Sequence, residues 1–286
     1  MACLYGPRSN HANMKKVLIL GYGSLGRAFV RLYGSRYEVL GVKRTPVENE
    51  PCPLVVLPIQ SEGLRPHLEW ADVILFCPSS SGGDLDHYRD TYLGNMRFLV
   101  GIIRENPLSV QHLILAGSTG VYPKDREGSW TEDTPVPVEA PRQEILRATE
   151  GALIESGLPW VVLRCGGLYG KGRGGFSRIV RKKTVRTSEL SDQRIAMIHE
   201  DDVCGAIDTV IREKAQGEIY NAVDDSNLRR SDLVRMVAEA ANLPVVDDGP
   251  TPHEPERIIL NTKLKASLGY RFHYSLTPEM IKDCLA

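Results

Sequence analysis

The sequence lacks the features that would place it at a membrane or on nucleic acid. Its 286 residues include 35 Lys and Arg against 36 Asp and Glu, a formal net charge of −1. Such a balance argues against nucleic acid or an anionic membrane surface as the main partner. No apolar run approaches the length of a membrane span. Residues 1–13 lack the apolar core of a signal peptide, and we expect a disordered extension before a domain that starts at Met14.

Cysteine and histidine are too scattered to form a metal site or a disulfide framework. The six cysteines, at positions 2, 52, 77, 165, 204 and 284, include no C-x-x-C pair, and none has a histidine at ligand spacing. Cys77 and Cys165 lie within apolar runs, which predicts buried, reduced thiols. The simplest expectation is a metal-free cytoplasmic protein.

The glycine loop GYGSLGR, at 21–27, follows an apolar strand pattern at 15–20. Its glycines have the G-x-G-x-x-G spacing: the first permits a tight turn, the second lets the backbone approach a pyrophosphate, and the third lets helix and strand pack closely. Apolar side chains then recur with helical spacing at Leu25, Ala28, Phe29, Leu32 and Tyr33. The pattern predicts a dinucleotide site with phosphates at the helix N-terminus, the alternative being a glycine turn in some other α/β protein. The predicted contacts are Gly21, Tyr22, Gly23, Ser24, Leu25 and Gly26.

The second apolar run, at 37–42, bears on the choice of cofactor. A site for NAD usually has an Asp or Glu near the end of this strand to bind the ribose 2′-hydroxyl. Here Glu38 lies too early, at the start of the run, and Lys43 and Arg44 follow its end. Two cations suit the 2′-phosphate of NADP. The sequence therefore favours NADP over NAD, and the alternative for the two cations is a solvated turn.

Apolar runs alternate with helical segments or turns along the chain. A helix is predicted over 141–156, with Pro141 at its first position and Gly157 just beyond its end. Near-continuous apolar strands between helices are typical of a parallel sheet covered on both faces. We therefore predict an α/β fold, a Rossmann-like doubly wound parallel sheet with a smaller C-terminal lobe. The predicted strands are 17–20, 37–42, 54–59, 72–76, 112–117, 160–165 and 218–223.

The domain prediction assigns 14–170 and 191–225 to the nucleotide-binding domain. Residues 171–190, which contain the most basic stretch of the chain, and residues 226–286 are assigned to the smaller lobe. The arginines of the basic stretch suit an anionic or diphosphate-bearing small-molecule substrate, and the alternative is a solvated basic face.

Further motifs, taken with the glycine loop, resemble the extended short-chain dehydrogenase/reductase superfamily, which contains nucleotide-sugar epimerases and dehydratases, and most closely its atypical branch. The motifs are FCPSS (76–80), AGSTGVY (116–122), LRCGGLYGKGR (163–173), RIAMIHEDDV (194–203) and YNAVDD (220–225). The resemblance implies a Rossmann fold, an NAD(P) cofactor and a homodimer formed through helix 141–156. The implied cofactor contacts are Cys77, Pro78, Ser79, Arg142, Gly166, Gly167 and Leu168, and the substrate contacts are Tyr169, Arg173 and Arg178.

The superfamily's chemistry depends on a Tyr-x-x-x-Lys pair on the helix after the fifth strand. None of the eleven tyrosines in this chain is followed four positions later by lysine. On the predicted helix, Arg142 stands where the tyrosine belongs and Leu146 where the lysine belongs. Leucine cannot lower a neighbouring pKa, and arginine is too basic for acid/base work at neutral pH. The standard proton transfer is therefore not expected.

Three residues near the end of the fifth strand are the remaining catalytic candidates. Ser118 and Thr119 occupy the position from which the superfamily polarises the reacting oxygen, and their alternative role is to cap the turn. Tyr122 follows them and is expected to face the cofactor cleft as acid/base, with packing under the loop as its alternative. Two functions stay open: an NADP-dependent oxidoreductase or epimerase/dehydratase, and a cofactor-binding sensor or scaffold without turnover.

Overall fold

The computed structural model describes residues 14–80, 82–105 and 110–286. The extension predicted over residues 1–13 lies outside these ranges. The strands are β1 (Lys16–Leu20), β2 (Glu38–Lys43), β3 (Leu54–Val56), β4 (Val73–Phe76), β5 (His112–Ser118), β6 (Gly128–Trp130), β7 (Trp160–Cys165), β8 (Gly167–Tyr169), β9 (Val185–Arg186), β10 (Met197–His199), β11 (Glu218–Ala222), β12 (Val245–Val246) and β13 (Arg257–Ile259).

The helices alternate with these strands. They are α1 (Ser24–Tyr33), α2 (Arg65–Trp70), α3 (Leu85–Arg89), α4 (Asn95–Glu105), α5 (Pro141–Ile154), α6 (Phe176–Arg181), α7 (Glu200–Glu213), α8 (Arg230–Ala240), α9 (Thr262–Leu268) and α10 (Pro278–Leu285). A π-helical turn, Asp90–Gly94, joins α3 to α4. Among the described helices, none is long and apolar enough to cross a bilayer.

The central sheet confirms the predicted fold class. In the described part of the chain its seven strands pair in parallel in the order β3-β2-β1-β4-β5-β7-β11. The chain moves outward from β1 to β3 and then returns to β4 on the other side of β1, so the order reverses between β1 and β4. In sheets of this kind, ligands bind beyond the carboxyl ends of the strands at that reversal.

Alternate strand residues fill two cores, because successive side chains of a strand point to opposite faces. Val17 and Ile19 pack on one face with α1, α7 and Leu264 of α9, whereas Leu18 and Leu20 pack on the other with α2, α4 and α5. The predicted strand 54–59 is shorter than expected: it ends at Val56, because Pro58 has no N–H to continue the pairing.

A separate core forms the smaller lobe. It joins α6, α8 and α10 through Phe176, Leu233, Val237 and Ile281. The structure differs from the predicted boundary on both sides: Leu264 and Tyr270 pack in the core of the larger body, whereas Tyr169 packs in the core of the smaller lobe. On α5, Ile145 and Leu153 are fully buried within the protein and do not offer a surface to a partner. The homodimer through this helix stays a prediction.

His112, at the start of β5, makes stability depend on pH. It is 2 % exposed, and among the described residues neither ring nitrogen has a hydrogen-bond partner. Burial lowers the pKa of His112 from 6.5 to about 4. Between pH 6.5 and 4, His112 is protonated in the unfolded chain but stays neutral in the folded protein. Stability should therefore be full above pH 6.5 and fall by up to about 3 kcal/mol as the pH drops towards 4.

Urea unfolding at pH 7 and near pH 4.5 measures this effect. His112→Leu removes both the titration and the unpaired nitrogens, so its stability should fall less with acid than that of the wild type and should be at least equal at pH 7. His253→Leu, at a histidine with an 87 % exposed side chain, is the matched control. An equal acid loss in wild type and His112→Leu would contradict the assignment.

Candidate functional site

The glycine loop is held against the turn that follows β4. Gly21 has φ +89°, and a Cβ there would lie 2.6 Å from the Cα of Pro78. A Cβ at Gly26 would lie 2.7 Å from the ring of Tyr22, which packs beneath the loop. At Gly23, in contrast, a Cβ would meet only the Gly21 carbonyl oxygen, at 3.8 Å. The loop is closed where the chain packs and open above Gly23, as a phosphate-binding turn requires.

The N-terminus of α1 is prepared for an anion. Gly23 caps it without a side-chain hydrogen bond, and its first turn contains no acidic residue. The first N–H groups of a helix have no partner within the helix, and the helix dipole favours negative charge there. This loop therefore fits the pyrophosphate of a dinucleotide.

A cavity of about 480 Å³ lies on one side of Pro78 and Ser79. It runs from the glycine loop to the ends of β2 and β3, and both Lys43 and Arg44 line it. Its far wall includes Asn95, at the start of α4. The structure thus places the two predicted cations beside the half of the crevice that would hold an adenosine.

A second cavity of about 190 Å³ lies on the other side of Pro78 and Ser79. The two cavities share these two residues, and together they form one crevice across the reversal between β1 and β4. The residues that line only the second cavity are Leu25, Cys77, Tyr92, Ala116, Gly117, Ser118, Cys165, Gly166, Leu168 and Arg173.

Arg173, predicted at the substrate, lines the second cavity and also reaches the cofactor loop. Its guanidinium donates to the Ser24 hydroxyl at the start of α1 and lies 3.2 Å from a Glu200 carboxylate oxygen. Burial raises the pKa of both Cys77 and Cys165 to about 12, and the Arg173 charge opposes this rise. A cation therefore stands at the junction of glycine loop and second cavity.

Ser118 keeps the position expected for it. It ends β5 and lines the second cavity, and its Oγ accepts the Gly120 N–H at 3.0 Å. Both predicted roles are thus compatible in Ser118, since an oxygen that caps the turn still has a proton to donate. Thr119 is buried and does not line the cavity.

The structure corrects the position expected for Tyr122. This side chain is 1 % exposed, packs with Trp130 and Leu146, and lines neither cavity of the crevice. Its hydroxyl donates to Asn221 at 2.8 Å and accepts from Arg164 at 2.8 Å. Burial raises the pKa of Tyr122 despite the nearby Arg164 charge. The packing alternative describes this residue.

Further predicted contacts lie outside the crevice. Tyr169 is fully buried in the core of the smaller lobe, and its hydroxyl donates to Asp224 at 2.8 Å. The exposed Arg142 places its guanidinium over the ring of Tyr88, 5.1 Å from the ring centre. Arg178 lines a separate cavity of the smaller lobe. Three predicted cofactor residues, Ser24, Gly26 and Gly167, support the crevice without lining it.

Sequence reasoning missed Tyr92. It lies on the π-helical turn Asp90–Gly94 and lines the second cavity. No spacing rule marks such a turn, so the sequence offered only a tyrosine within a helical stretch. The signal that points to Tyr92 is structural: π-helical turns occur frequently at functional sites.

Comparisons with known proteins bear on the fold and the family of this chain. Protein YeeZ of Escherichia coli K12 is 25 % identical over 275 residues, which are 91 % of this chain and 97 % of YeeZ. The dTDP-glucose 4,6-dehydratase of Bacillus anthracis, solved in complex with NAD, superposes with a TM-score of 0.78 at 19 % identity, over 94 % of this chain and 95 % of that one.

A short-chain dehydrogenase/reductase superfamily protein from Agrobacterium tumefaciens with bound NAD has the same TM-score of 0.78, at 16 % identity, over 94 % and 95 % of the two chains. These solved structures share the fold. At the level of sequence, residues 17–222 match the NAD dependent epimerase/dehydratase family. This chain therefore belongs to the NAD dependent epimerase/dehydratase family.

Proposed function

We propose that this protein is an NADP-dependent oxidoreductase or epimerase/dehydratase that acts on a small or nucleotide-linked hydroxy or carbonyl compound. The observation that carries the proposal is the pair of adjoining cavities, one at the glycine loop and one at Ser118, that share Pro78 and Ser79. A nicotinamide cofactor, when bound, supplies hydride transfer. Gly21, Gly23 and the N-terminus of α1 would hold its pyrophosphate, and Ser118 would hydrogen-bond the reacting oxygen.

The proposed preference for NADP rests on the end of β2. Lys43 and Arg44 line the first cavity, whereas Glu38 is five residues earlier in the same strand. Two of the similar solved structures contain NAD. Asp90 is the acidic residue that lines this cavity, and it accepts a hydrogen bond from Gln60 at 2.7 Å. At the end of β2 itself the chain presents two cations in place of an acidic residue, and they would pair with a 2′-phosphate.

The cavity of the smaller lobe supports an anionic substrate. Its volume is about 400 Å³, and it combines apolar side chains with four cations, Arg178, Lys182, Arg186 and Arg230. Lys182 lies 3.2 Å from Glu189, and Arg186 lies 3.2 Å from Asp248. Arg178 and Arg230 form no ion pair within the described ranges, so they are the better candidates for a phosphate.

The alternative function is a cofactor-binding sensor or scaffold without turnover. It is favoured by one observation, the absence of any tyrosine followed four positions later by lysine. For either function we propose a cytoplasmic location, since the five described cysteines are free thiols. Loss of near-ultraviolet absorbance when NADPH is mixed with a panel of carbonyl compounds separates the two: an enzyme oxidises NADPH, and a sensor only binds it.

Gly23→Ala tests the cofactor loop without disturbing the fold. A methyl group fits at position 23 in the free protein but occupies the space proposed for the pyrophosphate. We expect only a small fall in melting temperature, because alanine is a poorer N-cap than glycine. The Kd for NADPH should rise at least about 10-fold, equivalent to about 1.4 kcal/mol. Gly21→Ala is the contrasting variant, because its Cβ would collide with Pro78 and lower stability as well. Unchanged NADPH affinity in Gly23→Ala would contradict the proposed site.

Replacing Lys43 and Arg44 by alanine tests the choice of cofactor. Each charge-assisted hydrogen bond is worth about 1.5–3 kcal/mol, so the double variant should lose at least about 10-fold in NADPH affinity. Its NADH affinity should stay the same, because NADH has no 2′-phosphate. Arg235→Ala, at an exposed arginine of α8, is the matched control. Equal losses for both cofactors, or none for NADPH, would reject the preference.

A further inference from the structure

Tyr92 lies on the π-helical turn Asp90–Gly94, which side-chain hydrogen bonds hold at both ends. Asn95 donates from its side chain to the Thr91 carbonyl at 2.9 Å, and Gln60 holds Asp90 at 2.7 Å. Thr91 and Leu93, the neighbours of Tyr92, are both buried. Tyr92 itself is only half-buried and contributes to the wall of the second cavity, which Ser118 also lines. Tyr92 thus faces the crevice, whereas both of its neighbours in the chain are buried.

The Tyr92 hydroxyl keeps its proton available. Its oxygen accepts the Ser80 N–H at 3.5 Å, and no acceptor for its proton exists among the residues that the structure describes. The Tyr92 ring packs against the ring of Tyr88, with ring centres 4.6 Å apart. The Arg142 guanidinium in turn lies over the ring of Tyr88.

Other groups in the second cavity are less suited to proton transfer. The Cys77 thiol donates to the Gly21 carbonyl at 3.6 Å, and the Cys165 thiol donates to the Leu163 carbonyl at 3.5 Å. Arg173 stays charged at any ordinary pH and is paired with Glu200. Of the described residues lining this cavity, Tyr92 is the one phenol.

We propose that Tyr92 is the residue that exchanges a proton with the substrate, in place of the tyrosine that the family carries on the helix after the fifth strand. This inference rests on the proposed function. In the reducing direction, the substrate's carbonyl carbon gains a hydride and its electron pair from the reduced nicotinamide, and the π pair of the C=O bond moves to oxygen. Tyr92 gives that oxygen its proton, and water returns a proton to the phenolate. In the oxidising direction each transfer is reversed.

Tyr92→Phe tests the proposal, because it keeps the ring and removes the proton. Positioned proton transfer contributes about 10²–10⁴-fold, so turnover should fall at least about 100-fold. The Kd for NADPH, measured by fluorescence, should not change. The matched control is Tyr33→Phe, at a half-buried tyrosine in a groove beside α7, outside the crevice, and it should behave as the wild type.

Nitration by tetranitromethane, mapped by mass spectrometry, gives a second readout that needs no turnover. Saturating NADPH should protect Tyr92 and leave Tyr33 equally reactive. Equal nitration of Tyr92 with and without NADPH would overturn the proposal, and so would full turnover in Tyr92→Phe. A wild-type protein that binds NADPH but reduces no carbonyl compound would overturn it in favour of the sensor. Absence of NADPH binding would instead contradict the proposed function itself.

Discussion

The contact between the turns after β1 and β4 is the constraint on which the site depends. Leu20 accepts the Cys77 N–H at 2.9 Å, and the space above Gly21 is filled by the backbone of Pro78. Because the strand order reverses here, no connecting segment covers this contact. Pro78 and Ser79 therefore divide the crevice into two cavities. Lys43 and Arg44 line the cavity on one side of them, and Ser118 and Tyr92 line the cavity on the other.

A buried polar network supports the end of β5 and explains why α5 has a structural role. Arg164 on β7 forms a bidentate pair with Glu150 of α5 at 2.9–3.0 Å and also donates to Tyr122. Tyr122 in turn donates to Asn221 on β11. A buried charge is strongly destabilising without its partner, so Glu150 of α5 is required to pair with Arg164. Leu146 of α5 packs in the same region, against Tyr122 and Trp130. The chemistry proposed here moves to the helical segment after β4.

The sequence predicted the parts of this account that depend on local pattern. Apolar runs fixed the strands of the sheet, and the spacing of Gly21, Gly23 and Gly26 located the loop that the structure holds at the β1–β4 contact. Side-chain direction beyond a strand end could not be predicted, since it depends on partners far along the chain. Tyr122 turns inward because Arg164 and Asn221, 42 and 99 residues away, satisfy its hydroxyl. Tyr92 faces the crevice from a single π-helical turn, which leaves no periodic signal.

The central claim is that one dinucleotide occupies both cavities and brings its reactive end to Ser118 and Tyr92. A crystal structure of the protein with NADPH tests it most directly. The account predicts the 2′-phosphate at Lys43 and Arg44, the pyrophosphate above Gly23, and the nicotinamide in the second cavity, between Ser118 and Tyr92. A cofactor whose nicotinamide lies outside that cavity, with Tyr92 remote from it, would contradict the account.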